Sequence, residues 1–329
     1  MNLHLSGRRR SSSILLLLLA AIVLLAGCSS KADKAAEGKV AITTTIYPLA
    51  DFAVKIGGDH VHVTHVIPAG VEPHDWAPKL KDINRMADSQ LLFYQGSGLE
   101  GWVDDFLKSL PSDSKLKSIA VSEGLAVHLE EGEPAVDAED PDHEGEEAHD
   151  HDHDEEGLDP HTWLSPVLAK KMAERIKNEL VSVDPTNKTD YETNFQTLSA
   201  KFDELDAKFR TELDPLPHKD IVVQHAAFGY LSKEYGLTQR AIMGLSPEAE
   251  PTARQLKSIK DFVKENDVKV IFFEELVSDK LAKTLAQETG AKAQVLSPLE
   301  GLTPEQEKAG EDYFSIMTRN LEHLVEALK

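Results

Sequence analysis

Four residues of this chain could share one cation, although they lie far apart along it. They are His74 in GVEPHDW, His161 in DPHTWLSP, His225 in VVQHAAFGY and Glu300 in LSPLEG. Three imidazole nitrogens and one carboxylate oxygen make a tetrahedral set of the kind Zn²⁺ takes. Exchanging an imidazole for a carboxylate moves such a site toward Mn²⁺, and His225 is the position on which that choice turns. Glu274 and Glu275 compete with Glu300 for the fourth place, because they too follow an apolar run. The single cysteine, Cys28, excludes a thiolate metal site and an intrachain disulfide. Any metal must be held by His, Asp and Glu.

A second histidine group has a different character. His143, His149, His151 and His153 stand in DHEGEEAHDHDHDEEG, and from Glu130 to Glu156 there are 15 Asp or Glu and no Lys or Arg. Such a tract cannot bury a core, so 129–157 is expected to be a disordered loop. It would bind Zn²⁺ weakly and in several arrangements, since no backbone fixes its geometry. The formal net charge is −22; without the tract, 42 acids face 35 bases. Neither balance offers the clustered Lys and Arg of a nucleic-acid surface. His60, His62 and His65 line one alternating segment and read as a plain strand face. Trp76 and Trp163 each follow a proposed ligand by two residues and read as packing that shields the site.

The elements that must position these side chains follow a βα rhythm. Strands are expected at 40–46, 60–67 and 90–94, with helices at 47–56, 79–87 and 99–110. Ser165-Pro166 starts a helix, with Ser as N-cap and Pro in the first turn. In 185–213, Tyr191, Phe195, Leu198, Phe202, Leu205 and Phe209 are spaced 4, 3, 4, 3, 4. That is one apolar stripe on a helix about 40 Å long, ended at Asp214-Pro215. A second series follows: strands 220–224, 238–243, 269–273 and 293–296, helices 227–235, 252–265 and 278–289, and a closing helix 304–328. The fold class is therefore α/β: two lobes with parallel sheets flanked by helices, bridged by one long rigid helix. The domains are 40–184, with the acidic loop inside it, the linking helix 185–214, and 215–329. His74, His161, His225 and Glu300 all fall just past strands or at helix starts, where ligands collect in parallel sheets. Two from each lobe would meet in the crevice between them.

The N-terminus reads as a targeting segment. Arg8, Arg9 and Arg10 precede an apolar run from Ile14 to Ala26, shorter than the roughly 20 residues that span a bilayer. It ends in Leu25-Ala26-Gly27-Cys28, which looks like a bacterial lipobox. Residues 1–27 are then a lipoprotein signal peptide and 28–39 a tether. Acyl chains on Cys28 would anchor the mature chain stably, because two or more are present.

GVEPHDW, DPHTWLSP, HAAFGYLSKEYGL, SDKLAKTLAQETGAK and SPLEGLT occur in this order between 70 and 303. In these motifs the chain resembles the zinc-specific solute-binding lipoproteins of ABC transporters, the ZnuA/AdcA type within the cluster A-I family. The resemblance covers nearly everything from Val40 to Leu328. It implies two α/β lobes bridged by a long helix, and an interlobe site from His74, His161 and His225 with Glu300 as fourth ligand. The His-rich loop before DPHTWLSP matches the zinc members, whereas manganese members carry a carboxylate where His225 stands. The expected function is capture of Zn²⁺ outside the cytoplasm by a membrane-anchored monomer that hands it to a permease. Alternatives are a manganese importer component, a surface adhesin, and a zinc hydrolase. The last lacks HExxH, GxSxG and a spare carboxylate evidently paired with a ligand. With ordinary imidazoles, metal affinity should fall below about pH 6.

Overall fold

The computed structural model describes residues 38–127, 157–247 and 250–329. The signal segment, Cys28, His143, His149, His151 and His153 lie outside the described residues. From Val40 to Lys329 the chain forms one compact unit.

The first half runs β1 (Val40–Thr44), α1 (Tyr47–Gly57), β2 (Val61–His65), α2 (Leu80–Ala87), β3 (Leu91–Tyr94), α3 (Val103–Ser109) and β4 (Lys117–Ala120). Then come α4 (Pro166–Val183) and the long α5 (Lys188–Leu213). The second half runs β5 (Asp220–His225), α6 (Gly229–Tyr235), β6 (Thr238–Met243), α7 (Ala253–Glu265), β7 (Val270–Phe273), α8 (Lys280–Thr289), β8 (Lys292–Val295), α9 (Pro304–Ala309) and α10 (Tyr313–Leu328).

Each half builds one four-stranded parallel sheet, in the orders β2-β1-β3-β4 and β6-β5-β7-β8. The inner strands LLFY and VIFF are almost continuously apolar, as strands covered on both faces must be. In each sheet the first strand in the chain has its two successors on opposite sides. The crossovers therefore diverge beside β1 and β5 and leave a crevice at their carboxyl ends.

Two expectations change. The strand β4 had no apolar run to announce it: only Ile119 of KSIA is buried. The closing segment is two helices, because Gly310 takes a left-handed φ of 70° at the end of α9. Asp312 then caps α10, its carboxylate accepting the Ser315 N–H at 2.9 Å.

The stripe on α5 points where its spacing requires. Tyr191, Leu198, Phe202, Leu205 and Phe209 are buried, and Phe195 is partly buried under the Lys177 ammonium. At ~1.5 Å per residue its 26 residues span about 39 Å. The helix packs on α1 and α4 of the first half and on α6 and α10 of the second. One hydrophobic cluster runs through both halves, from Val40 to Leu328.

Candidate metal centre

Each of the four residues is placed by a specific local device. His225 is the last residue of β5. His161 precedes a short 3-10 turn, Thr162–Leu164, after which Ser165 caps α4 by accepting the Leu168 N–H at 3.3 Å. His74 lies in the loop between β2 and α2, its N–H donated to Glu72 Oε1 at 2.9 Å. Glu300 follows β8 and is aimed by an unusual backbone: Leu299, although not glycine, has φ +54°. Such a conformation costs about 1–3 kcal/mol and persists only where its surroundings enforce it. Here Ser297 Oγ accepts the Leu299 N–H at 3.3 Å, and Asn320 bonds the Ser297 N–H and carbonyl at 2.9 and 2.8 Å.

The four side chains meet. Glu300 Oε1 lies 3.3 Å from His74 Nε2, 3.3 Å from His161 Nε2 and 3.5 Å from His225 Nε2. The Nε2 atoms of His161 and His225 are 3.2 Å apart. One donor atom from each residue lies within 4.8 Å of all the others. His161, His225 and Glu300 are fully buried, and the His74 side chain is 10 % exposed.

Carboxylates outside this cluster orient the rings. Asp159 Oδ1 faces His161 Nδ1 at 2.8 Å, and Glu274 Oε1 faces His225 Nδ1 at 2.6 Å. A neutral imidazole that donates from Nδ1 must carry its lone pair on Nε2. Both lone pairs then point at the same volume, as metal-binding histidines are held. Glu274 is thus an orienting group, and Glu300 is the carboxylate among the Nε2 atoms. Asp159 was not singled out in the sequence, though it stands two residues before His161. Gln95 and Glu100 were also missed, and nothing local signals them. Glu100 accepts from Thr45 Oγ1, Gln95 N and Gly96 N, at 2.5, 2.8 and 3.0 Å. Gln95 Nε2 donates to Pro160 O and Thr162 Oγ1, at 2.5 and 2.9 Å, which fixes the turn that carries His161.

The electrostatics suit a cation. Burial opposes a charge on His225, but the Glu274 and Glu300 carboxylates outweigh it and push the imidazole up to about 10. His161 is also raised: burial opposes, and Asp159 and Glu300 prevail. Glu300 stays well below the usual carboxylate range, its burial overcome by His74, His161 and His225. Glu72 is pushed up to about 9 by burial and the nearby Glu300 charge. His74 Nε2 and both Glu300 oxygens are buried without a hydrogen-bond partner. Burying such groups unpaired is costly. They lie close together without aiming at one another, which suits atoms directed at a shared ion.

The remaining candidates sit elsewhere. His60 pairs with Asp190 at 2.8 Å, and half-buried His65 faces the Thr45 carbonyl at 2.9 Å. Neither they nor His62 belong to the cluster. Trp163 is fully buried 5.2 Å from the His161 ring, its Nε1–H donated to Pro298 O at 2.7 Å. Trp76 packs on Trp102 in a separate small cluster.

Glu274→Gln, which can present its N–H₂ rather than an anion to His225, should weaken zinc binding about 10- to 100-fold. Competition against a chelator of known affinity measures this. An unchanged constant would remove Glu274 from the site.

The comparisons with known proteins point one way. The family model for the periplasmic zinc-uptake complex component A, ZnuA, matches residues 42–327. The high-affinity zinc uptake system protein ZnuA of Bacillus subtilis (strain 168) is 41 % identical over 308 residues, covering 92 % of this chain and 93 % of that protein. The zinc-binding lipoprotein AdcA of Streptococcus pneumoniae (strain ATCC BAA-255 / R6) is 41 % identical over 301 residues. There the match covers 91 % of this chain but only 58 % of the relative's length. The crystal structure of the Zn(II)-bound ZnuA-like domain of Streptococcus pneumoniae AdcA superposes with a TM-score of 0.73 at 38 % identity, covering 88 % of this chain and 99 % of that one. The laminin-binding protein Lmb of Streptococcus agalactiae, described as bifunctional with adhesin and metal-transporting activity, gives 0.75 at 32 %, covering 88 % and 100 %. With the family match spanning both halves and the long helix between them, this chain belongs to the ZnuA family of zinc-uptake solute-binding components.

Proposed function

We propose that the protein captures Zn²⁺ at His74, His161, His225 and Glu300 and delivers it to the permease of an ABC importer. One observation carries this reading: three Nε2 atoms and a carboxylate oxygen converge in a buried volume, with Asp159 and Glu274 turning the lone pairs of His161 and His225 inward. Zn²⁺ is the cargo, and four protein donors suffice to close its tetrahedron. A closed set leaves no position at which to activate water. The chain is therefore a carrier and not an enzyme. The sequence made no carboxylate evidently paired with a proposed ligand, yet Asp159 and Glu274 stand against His161 and His225. Both approach from the Nδ1 side, away from the centre, where they orient rings. They are not placed as a base for a water at the Nε2 side.

The rest of the assignment extends this reading. Cys28 carries the lipid that anchors the protein outside the cytoplasmic membrane, after removal of 1–27. Residues 40–184, 185–214 and 215–329 serve as lobe, linking helix and lobe of a monomer. His143, His149, His151 and His153 gather Zn²⁺ near the centre. The likeness to Lmb supports host-matrix adhesion as a second role on the same fold.

The test is a competition titration of chelator-stripped protein with Zn²⁺ and Mn²⁺. One tightly held Zn²⁺ per chain, far preferred over Mn²⁺, is expected. His225→Asp should weaken zinc and narrow that preference, since an oxygen donor replaces nitrogen. A variant with wild-type zinc affinity would overturn the ligand assignment.

A further inference from the structure

Beside the four-residue centre lies a cavity of about 620 Å³. Val277 and Leu281 line it with apolar groups, and Glu72, Gln224, Glu250 and Lys280 with polar ones, charges of both signs among them. Gln224 and Glu72 connect it to the centre. Gln224 directly precedes His225; its Oε1 accepts the Glu274 N–H at 3.2 Å, and its Nε2 donates to Ser278 O at 2.9 Å. Glu72 comes from the other half of the molecule. It accepts the His74 N–H and lies within electrostatic reach of Glu300, His225 and Glu274. The centre itself is nearly shut, with three of its four side chains at 0 % exposure. A cation stripped of all its water before meeting a ligand would carry a prohibitive desolvation cost. The cavity holds many times the ~30 Å³ share of one water, so it can admit an ion with its hydration shell. Glu72 is both part of the cavity wall and a near neighbour of the proposed ligands.

We propose that this cavity is the path by which the cation enters and leaves, and that the Glu72 carboxyl is its hand-over ligand. It gives its proton to the water of the cavity as it replaces water on the arriving Zn²⁺, and passes the ion to His74 and Glu300. This rests on the zinc reading above and adds a route and a residue that the four-ligand set does not contain.

The experiment is stopped-flow loading of the chelator-stripped protein with Zn²⁺, and release from loaded protein into excess chelator. Glu72→Gln keeps an oxygen for the His74 N–H and replaces the other carboxyl oxygen by an amide nitrogen, which offers no lone pair to a cation. Loading and release should both slow about ten-fold, equivalent to about 1.4 kcal/mol on each barrier once the oxygen that replaces water is gone. Val277→Trp narrows the cavity without touching a proposed ligand, and should slow both steps at unchanged equilibrium affinity. Wild-type rates in both variants would overturn the proposal. Slowing by Val277→Trp alone would keep the path and remove Glu72 from it. Faster release from Glu72→Gln would make Glu72 a ligand and not a carrier. Failure of the wild-type protein to bind Zn²⁺ at equilibrium would instead defeat the function on which the route depends.

Discussion

His161→Ala should weaken zinc binding by more than 100-fold. Losing a group that merely orients a ligand costs 10- to 100-fold, and here the ligand itself goes. The loss has three parts. One of the four donors disappears. Asp159 keeps its buried carboxylate, which is 2 % exposed, without the imidazole it orients. Glu300, held ionised partly by His161, loses one of its three neighbours. Chelator competition reads the affinity, and thermal melts of metal-free protein separate it from damage to the fold. The melts give a second check. Free zinc at 1,000 times the wild-type Kd adds about 4 kcal/mol to folding stability, whereas a site 100-fold weaker gains about 1.4 kcal/mol at the same concentration. Binding within three-fold of wild type would show that the cation sits elsewhere.

The second large effect is on pH. Ordinary imidazoles would lose metal only below about pH 6, as the sequence suggested. The structure moves that window upward. With His225 pushed up to about 10, the metal-free site holds a proton on that ring across the whole neutral range, and the raised His161 acts in the same direction. Arriving Zn²⁺ must expel that proton, so affinity rises with pH and falls as pH is lowered. With at least one proton displaced, the constant should change about ten-fold per pH unit, or about 100-fold between pH 8 and pH 6. Glu300, lowered well below the ordinary carboxylate range, stays ionised throughout and adds nothing to this slope. Titrations at several pH values, with proton release measured in buffers of different ionisation enthalpy, test it. Constant affinity from pH 6 to 8 would contradict the protonated site. The folding linkage of His225 runs in the opposite sense. Its raised value stabilises the metal-free protein fully below the unfolded value near 6.5, and that contribution is lost as pH climbs toward about 10.

Much of this was legible in the sequence for physical reasons. The stripe Tyr191 to Phe209 could only be one face of a helix, and the apolar runs LLFY and VIFF could only be buried strands. His74, His161, His225 and Glu300 stood out because each follows a strand or opens a helix, the positions at which parallel sheets gather ligands. What escaped reading lacks a periodic signal. The strand β4 buries one side chain, so KSIA carries no apolar pattern. The break at Gly310 depends on a single left-handed residue inside a helical composition. Gln95 and Glu100 act across more than 50 positions of chain, through hydrogen bonds to Thr45, Pro160 and Thr162 that no spacing encodes. Glu274 looked like a ligand candidate; only the distance to His225 Nδ1 reveals that it grips the far side of the ring.

The helix α5 and the bonds that cross between the halves have a consequence for how the molecule comes apart. Tyr47 N–H donates to Glu300 O at 2.9 Å, Gly70 N–H to Leu302 O at 2.8 Å, and Tyr313 O–H to Trp163 O at 2.7 Å. Each half also has a small apolar cluster of its own, but the largest one draws on both, so separating the halves would expose it. A calorimeter should therefore record a single endotherm for 40–329, and a fragment ending after α5 should not refold alone. Natural exchange of one half between relatives would succeed only if the other half's facing residues travelled with it.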